Sequence, residues 1–327
     1  MTSSGNQAFW VTGLGQGELR PATLEWPESA GGEIVTVRTL YSGISRGTES
    51  LVFNNRVPQD EYLRMRAPFQ EGQFPFPVKY GYANVGEVQD GPEHLMGKRV
   101  FCLYPHQRHY RVPASAVTAL PDDLPPGRAI LAANMETAIN GLWDAEPAVG
   151  DRVAVVGLGV VGLLVAWLVK QIPGSQLLAV DTNESRADIA KALGLPFTTE
   201  ASARDCDLVI HASGRSEGLS SALSMAGPEA RIVELSWYGN EPVTVPLGHA
   251  FHPNRLELKS SQVGQIPPRR QPRWSYARRL ELALQLLRAP ELDNLISGES
   301  RFDELPAVAS TILSPAGDAL CHRITYS

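Results

Sequence analysis

One stretch of the sequence, residues 152–171, constrains the fold more than any other. It begins with the uninterrupted apolar run RVAVV and continues through Gly157-Leu-Gly159-Val-Val-Gly162 into a second apolar segment. A buried strand that turns through closely spaced glycines into a buried helix is typical of a parallel sheet with helices on both faces. The stretch therefore predicts an α/β domain built from such units.

The three glycines have the spacing G-x-G-x-x-G, which indicates dinucleotide binding when it follows a strand and precedes a helix. In this context Gly157 permits a tight turn, Gly159 lets the backbone approach a pyrophosphate, and Gly162 lets the helix pack closely on the strand. The first helical turn, with Val160 and Val161, offers unpaired N–H groups and a partial positive charge to phosphates. We therefore predict a dinucleotide site here.

An acidic residue follows at the position that such a site requires. Asp181 ends the next apolar strand, 24 residues after Gly157 (181 − 157 = 24), close to the roughly 20 residues that are typical. A carboxylate there accepts ribose hydroxyls and repels a 2′-phosphate, so Asp181 and the following Thr182 predict NAD(H) rather than NADP(H). Arg186 is the alternative signal, since a nearby arginine could hold that phosphate, but its spacing favours a place on a helix face.

The pattern of predicted secondary structure changes along the chain. Residues 1–118 contain short β-like pieces separated by Gly and Pro, whereas strands and helices alternate after the segment PDDLPP. The last piece, CHRITY, is again strand-like. We predict a β-rich antiparallel domain over residues 1–118, completed by 290–327, and a doubly wound parallel-sheet domain over 119–289.

Composition excludes several other classes of protein. The chain has 327 residues, is 43% hydrophobic and carries a net charge of −6, which favours a soluble protein of two domains and argues against nucleic acid as a partner. Its three cysteines share no short spacing that would indicate a disulfide framework or a metal site. The opening MTSSGNQAFW has no signal-peptide pattern, and glycines break the longest apolar run, so we expect a cytoplasmic protein without a membrane span.

Over nearly its whole length the chain resembles the medium-chain dehydrogenase/reductase superfamily. The resemblance is carried by SGIS…GTE near residue 45, PVKYGYANVGEV at 77–88, GDRVAVVGLG at 150–159 and SSQVG at 260–264. The SGIS-x-GTE and Gly-Tyr segments look similar to the bacteriochlorophyllide dehydrogenase-like group. The resemblance implies a GroES-like β-rich domain, a Rossmann domain, NAD(P)-dependent alcohol dehydrogenase or reductase activity on a small-molecule substrate, and a homodimer.

The chain departs from the zinc-bearing members of that superfamily at their ligand positions. Those members have Cys where this chain has Ser45, and Gly-His-Glu where it has Gly81-Tyr82-Ala83. Hydroxyl groups are poor zinc ligands beside thiolate and imidazole, and no cysteine cluster follows Cys102. We therefore expect no zinc, the alternative being a metal site made from Cys102, His106 and His109.

Without zinc, a carbonyl that is being reduced needs another proton or positive dipole at its oxygen. The resemblance places Tyr82 at the position of a zinc-ligating His, and a phenol with an ordinary pKa of about 10 suits a proton donor. Arg46 or Lys79 could stabilise its phenolate, and we expect Arg46 near the Tyr82 hydroxyl. The alternative is that Tyr82 is simply a packed aromatic residue.

Other candidates surround this position. His106 is a second acid/base candidate, and Ser45 or Thr48 could relay a proton. Glu136 could pair with Arg46 or bind substrate hydroxyls, or it could be an ordinary helix acid. The segment YSGISRGTES, residues 41–50, is expected to be a loop that presents these groups.

The resemblance also implies which residues run beside the nicotinamide. They follow later strands of the parallel sheet and are Ser213, Gly214, Ser236, Gln262, Val263 and Gly264.

Three functions fit these patterns. The first is a zinc-independent, NAD(H)-dependent alcohol dehydrogenase or ketone reductase. The second is an NADPH-dependent enoyl or quinone reductase, against which Asp181 argues. The third is a cofactor-binding protein that has lost catalysis, although the retained polar and titratable groups favour an enzyme.

Overall fold

The computed structural model describes residues 5–24 and 32–326 and divides into two compact units. Unit 1 comprises Met1–Ala133 and Leu280–Ser327, and unit 2 comprises Asn134–Arg279. The domain boundaries expected from the sequence differ from these by 15 residues (133 − 118 = 15) and 10 residues (290 − 280 = 10). Both observed boundaries fall inside helices, so no linker composition marks them.

Seventeen strands are present in the described part of the chain. In chain order they are β1 (Gln7–Gly13), β2 (Gln16–Pro21), β3 (Ile34–Ser45), β4 (Glu71–Gly72), β5 (Val78–Lys79), β6 (Asn84–Asp90), β7 (Arg99–Cys102), β8 (His109–Pro113), β9 (Val117–Ala119), β10 (Arg152–Val156), β11 (Gln176–Val180), β12 (Phe197–Thr198), β13 (Cys206–His211), β14 (Ala226–Glu234), β15 (Glu257–Ser260), β16 (Ile296–Arg301) and β17 (Cys321–Thr325).

The α-helices of the described residues are α1 (Arg46–Phe53), α2 (Pro126–Ala129), α3 (Ala132–Ala145), α4 (Val160–Lys170), α5 (Arg186–Ala192), α6 (Ser216–Met225), α7 (Tyr276–Leu286) and α8 (Leu305–Ile312). Short 3₁₀ turns cover Gln59–Glu61, Glu93–Leu95, Ala114–Ala116, Pro290–Leu295 and Phe302–Glu304, and one irregular π-type turn covers Leu247–Phe251.

Unit 1 is built from two β-sheets. One has the order β2-β1-β5-β4, and the other has the order β16-β17-β3-β6-β7-β9 with β8 also paired to β3. Strand β3 is central to the larger sheet: in its first half, IVTVRTL, buried and partly exposed residues alternate, as in a strand that covers a core with one face. The β-rich character predicted for this part of the chain is confirmed.

The segment 41–50, expected to be a loop, instead joins a strand directly to a helix. Tyr41 to Ser45 continue β3 because they pair antiparallel with β17, from Tyr41 opposite Thr325 to Ser45 opposite Cys321. Helix α1 begins at the next residue, Arg46. The partner strand lies 276 residues away (321 − 45 = 276), so local sequence patterns do not reveal it.

Unit 2 contains a single sheet of six parallel strands in the order β12-β11-β10-β13-β14-β15. Counted within the unit this order is 3-2-1-4-5-6, the doubly wound arrangement that binds dinucleotides. The predicted fold class is confirmed. The order reverses between β10 and β13, and in such sheets ligands bind outside the carboxyl ends of the strands at this switch point.

Among the described residues, no helix is long and apolar enough to cross a membrane. The three cysteines, Cys102, Cys206 and Cys321, are buried and form no disulfide.

Candidate active site

The glycine turn that follows β10 in unit 2 is shaped by close packing. Gly157 has a φ of +95°, and a Cβ at this position would lie 2.4 Å from the backbone nitrogen of Ser213. A Cβ at Gly162 would lie 1.8 Å from the carbonyl oxygen of Gly157. Only glycine fits at either position, because any side chain would force β10, α4 and the segment after β13 apart.

Gly159 serves a different purpose in the same turn. A Cβ built on Gly159 would meet no atom within 4 Å, so packing does not explain this glycine. It directly precedes α4, whose eleven residues begin at Val160, and both Val160 and Val161 are partly exposed. An open backbone surface before a helix N-terminus can accept a pyrophosphate. The residues of this turn therefore fit a bound dinucleotide.

Asp181 lies beside this turn, directly after β11. Its Oδ2 accepts a hydrogen bond from the backbone N–H of Leu158 at 2.6 Å, and its Oδ1 accepts one from the N–H of Asn183 at 2.9 Å. Each carboxylate oxygen retains a lone pair for a ribose hydroxyl. Thr182 is exposed next to it, whereas Arg186 begins α5 and is buried, in agreement with a place on a helix face.

The other predicted cofactor residues of unit 2 lie at the same edge of the sheet. Ser213 and Gly214 follow β13, Ser236 follows β14, and the N–H of Gly214 donates to Ser236 Oγ at 3.0 Å. The segment of Gln262, Val263 and Gly264 follows β15 and is held by a bond from Gly264 N to Gln262 Oε1 at 2.6 Å. Strand β15 is three strands from β10, about 14 Å at the usual strand spacing. The edge is thus long enough for an extended ligand.

Three residues at this edge were missed by sequence reasoning. His211 and Glu234 are the last residues of β13 and β14, lie opposite each other in register, and bond through His211 Nδ1 and Glu234 Oε2 at 2.7 Å. Tyr238 donates its hydroxyl to Glu234 Oε2 at 2.8 Å. The available signal was a polar residue directly after a short apolar run, LVI in β13 and IV in β14.

A second polar site, in unit 1, surrounds the hydroxyl of Tyr82. The hydroxyl groups of Ser45, at the end of β3, and Thr48, in α1, lie close to this hydroxyl. Burial and the nearby charge of Glu49 raise the pKa of Tyr82 to about 12, and the polar hydroxyls of Ser45 and Thr48 oppose this shift. The phenol is therefore neutral and retains a proton that it can donate at physiological pH.

A chain of buried polar groups continues from the start of α1. Glu49 accepts the N–H of Ser45 at 2.7 Å with Oε1 and contacts His106 Nε2 at 3.0 Å with Oε2. His106 Nδ1 lies 2.7 Å from Ser42 Oγ, which in turn lies 2.8 Å from the Tyr326 hydroxyl. His106 thus lies in the same polar network as Ser45. Glu49 was not predicted to act here, although it is the only acid in the segment 41–50.

Arg46 and Glu136 each have partners within their own unit. The guanidinium of Arg46 donates to the carbonyl oxygens of Ser314 and Pro315 at 3.0 and 3.1 Å, which ties α1 to the segment after α8. Glu136, in unit 2, forms a buried ion pair with Arg279 at 3.1 Å. Glu136 thus pairs with Arg279, whereas the sequence suggested Arg46 as its partner. The two arginine side chains already have acceptors nearby in their own units.

The donor chemistry around Tyr82 does not match a zinc centre. Ser45 and Tyr82 offer hydroxyl oxygens, and the raised pKa of Tyr82 opposes the phenolate that a metal would need. Over residues 5–24 and 32–326, no group of three or more His, Cys, Asp or Glu side chains is placed to hold a metal ion.

Comparison with curated proteins gives partial sequence matches to dehydrogenases. L-threonine 3-dehydrogenase of Bacillus subtilis (strain 168) is 30% identical over 152 residues, which are 42% of this chain and 43% of that enzyme. D-guloside 3-dehydrogenase of Escherichia coli (strain K12) is 30% identical over 163 residues, 46% and 47% of the two chains. The matched region is thus less than half the length of either relative. No family model matches the sequence.

Solved structures match along almost the whole chain. An alcohol dehydrogenase from E. coli CFT073 complexed with NADH has a TM-score of 0.77 at 17% identity, covering 98% of this chain and 99% of that chain. Galactitol-1-phosphate dehydrogenase from E. coli has a TM-score of 0.78 at 16% identity, with the same coverage of 98% and 99%. At these identities the likeness establishes the fold.

A dehydrogenase from Sinorhizobium meliloti 1021 described as zinc-binding and bound to NADP has a TM-score of 0.76 at 17% identity, covering 98% of this chain and 99% of that chain. The fold is therefore shared by proteins that bind either dinucleotide. The chain is thus similar over part of its length to curated dehydrogenases, among them a protein of Haemophilus influenzae described as zinc-type alcohol dehydrogenase-like, and it shares its fold with solved dehydrogenase structures.

Proposed function

We propose that the protein is an oxidoreductase that transfers a hydride between NAD(H) and an alcohol or ketone. The observation that carries the proposal is the glycine turn at the switch point of a 3-2-1-4-5-6 sheet, where Gly159 opens onto free space next to Asp181. The sequence relatives, which are named as threonine and guloside dehydrogenases, support an alcohol or its ketone as the substrate.

In this proposal unit 2 holds the cofactor. The backbone at Gly157 and Gly159 and the N-terminus of α4 bind the pyrophosphate, and Asp181 binds the adenosine ribose. The nicotinamide, when bound, supplies or accepts the hydride. Asp181 favours NAD(H) over NADP(H), because the carboxylate would face the 2′-phosphate. Arg186 is buried at the start of α5, a position that does not favour its use as a phosphate ligand.

We further propose that the enzyme works without zinc, as a member of a zinc-independent branch that resembles the bacteriochlorophyllide dehydrogenase-like group. Hydroxyl groups at Ser45 and Tyr82, in place of a thiolate and an imidazole, support this part of the proposal. Zinc analysis of protein purified without a metal-binding tag tests it. We expect well under one zinc per chain after dialysis, whereas near-stoichiometric zinc that resists dialysis would contradict it.

Tyr82 takes the role of the acid. Its neutral phenol donates a proton to the substrate oxygen during ketone reduction, and the nearby hydroxyls of Ser45 and Thr48 pass a replacement proton. Glu49 positions this group of hydroxyls, because it caps the backbone N–H of Ser45 and is itself held by His106. His106 therefore acts through Glu49.

The first experiment is a fluorescence titration of the purified protein with NADH, followed by a screen of ketones and secondary alcohols for absorbance changes at the nicotinamide band. We expect saturable NADH binding and turnover of at least one ketone. A protein that binds neither NADH nor NADPH would refute the proposed function. The expected homodimer is tested separately by sedimentation equilibrium.

A further inference from the structure

The carboxylate of Glu234 is the centre of a hydrogen-bonded cluster in unit 2 that has no role in the function proposed so far. It accepts bonds from His211 Nδ1 at 2.7 Å, from the Tyr238 hydroxyl at 2.8 Å and from the backbone N–H of Ser236 at 2.7 Å. His211 is fully buried, but the Glu234 side chain is 13% exposed. We call these four residues the Glu234 cluster. The Glu234 side chain is thus partly accessible at the carboxyl edge of the sheet.

The carboxyl group of Glu234 is ionised at neutral pH. Burial raises the pKa of Glu234, but the bonds from His211 and Ser236 outweigh it and hold the pKa below its ordinary value. The other ring nitrogen of His211, Nε2, lies 2.6 Å from Ser213 Oγ, a hydroxyl that can donate to it. Each ring nitrogen of His211 therefore has a hydrogen-bond partner, Glu234 at Nδ1 and Ser213 at Nε2.

The position of Glu234 along the sheet places it on the side of the second nucleotide of a bound dinucleotide, away from the adenosine half. Asp181 lies after β11 and the glycine turn after β10, so a cofactor bound to both has its adenosine half on that side. The strand order then leads the second nucleotide over β13 and β14. Glu234 ends β14, two strands from β10, about 10 Å at the usual strand spacing.

We propose that the Glu234 carboxylate stabilises the positive charge of the oxidised nicotinamide ring. The inference rests on the proposed function, since it requires that NAD(H) binds at the glycine turn. The oxidised ring is a cation and the reduced ring is neutral, so Glu234 binds the oxidised cofactor more tightly and helps a reduced cofactor release its hydride. Tyr82 supplies the proton and Glu234 the negative charge for the same direction of reaction, ketone reduction.

The expected size follows from Coulomb's law. Opposite unit charges about 6 Å apart change a binding equilibrium by about threefold in water and by about a hundredfold at an effective dielectric constant of 20. Glu234 is partly exposed, so we expect an effect between these limits, of about tenfold. This corresponds to about 1.4 kcal/mol.

The test compares the dissociation constants for NAD⁺ and NADH in the wild type, Glu234→Gln and Glu257→Gln, by calorimetry or fluorescence. Glu257 is the matched control, because it is the first residue of β15 and lies at the amino ends of the strands, away from the cofactor edge. It pairs there with Arg231 at 2.8 Å. We expect Glu234→Gln to weaken NAD⁺ binding by about tenfold relative to NADH, and Glu257→Gln to leave the ratio within about twofold of the wild type.

The outcomes separate this inference from the proposed function. If Glu234→Gln binds NADH normally and keeps the wild-type ratio, the inference is wrong and the proposed function stands. If the wild type binds neither form of the cofactor, both are wrong. If Glu234→Gln shows no cooperative thermal unfolding, Tyr238→Lys replaces it. Tyr238 is partly exposed, and a lysine there would neutralise the same carboxylate and should shift the ratio in the same direction.

Discussion

The carboxylate of Asp181 should decide which dinucleotide unit 2 prefers, and the structure gives the size of the effect. Both of its oxygens are fixed by backbone N–H groups, at 2.6 Å from Leu158 and 2.9 Å from Asn183, so the charge cannot readily move away from a bound ribose. Like charges about 4 Å apart repel by about 1 kcal/mol in water and by about 4 kcal/mol at an effective dielectric constant of 20. Asp181 is partly exposed. We therefore expect a penalty of about 1–3 kcal/mol for NADPH, or about ten- to a hundredfold in Kd.

Two substitutions separate the charge from the shape of this site. Asp181→Asn removes the charge and keeps the size of the side chain, although one of the two backbone N–H groups then loses its acceptor, at a cost of about 1 kcal/mol in stability. Asp181→Ser removes both the charge and the size of the side chain. We expect either variant to bring the Kd values for NADH and NADPH to within about threefold of each other. Asp188→Asn, which removes an exposed charge from α5, is the control and should keep the wild-type preference.

The measurement is a titration of each variant with NADH and NADPH, followed by nicotinamide fluorescence, with thermal unfolding as the test of folding. Equal affinities of the wild type for the two cofactors would refute the role of Asp181. So would an unchanged preference in both Asp181 variants, because the repulsion would then have another source.

Other predictions concern the acid and the glycine turn. Tyr82→Phe should lower the turnover of a ketone substrate by about 10²–10⁴-fold and leave NADH affinity and the melting temperature unchanged. The control is Tyr80→Phe, at a buried neighbouring ring, which should keep the wild-type turnover. A Tyr82→Phe enzyme with normal turnover would exclude Tyr82 as the acid. Since the pKa of Tyr82 is raised to about 12, the phenol stays protonated below that value. The rate of ketone reduction should therefore stay flat from about pH 8 to 10, where a phenol with an ordinary pKa of about 10 would become half ionised, and an apparent pKa near 10 would contradict the assignment. Gly162→Ala places a Cβ 1.8 Å from the Gly157 carbonyl and should lower the free energy of unfolding by at least about 1–3 kcal/mol, as measured by chemical denaturation. Gly159→Ala meets no atom within 4 Å, so it should unfold like the wild type but bind NADH at least about tenfold more weakly; normal NADH binding would show that the pyrophosphate does not lie there.

Local sequence was sufficient for the first strand–helix–strand segment of unit 2. The apolar run RVAVV, the glycine spacing and the acid at position 181 each follow from a short-range requirement, namely a strand buried on both faces, a backbone that only glycine can adopt, and a carboxylate at a strand end. These requirements act within about 30 residues of one another, the length of one strand–helix–strand unit. The parallel sheet and the geometry of the glycine turn accordingly agree with the prediction.

The polar networks depend instead on contacts between distant segments. Glu49 and His106 are 57 residues apart, and Ser42 meets Tyr326 across 284 residues. The continuation of β3 to Ser45 requires a partner strand from the other end of the chain. Neither a helical nor a strand periodicity contains this information, because both describe only near neighbours along the chain.

Contacts between distant segments also explain why the observed ion pairs and domain boundaries differ from those expected from the sequence. Arg46 and Glu136 each found an oppositely polarised partner within their own unit, in the carbonyl groups after α8 and in Arg279. The boundaries between the units fall inside α3 and α7, where continuous helical sequence gives no sign of a change. His211 and Glu234 became a pair only through the parallel register of β13 and β14. Which strands are neighbours is decided by how the whole sheet buries its apolar faces, and that is a property of the folded chain.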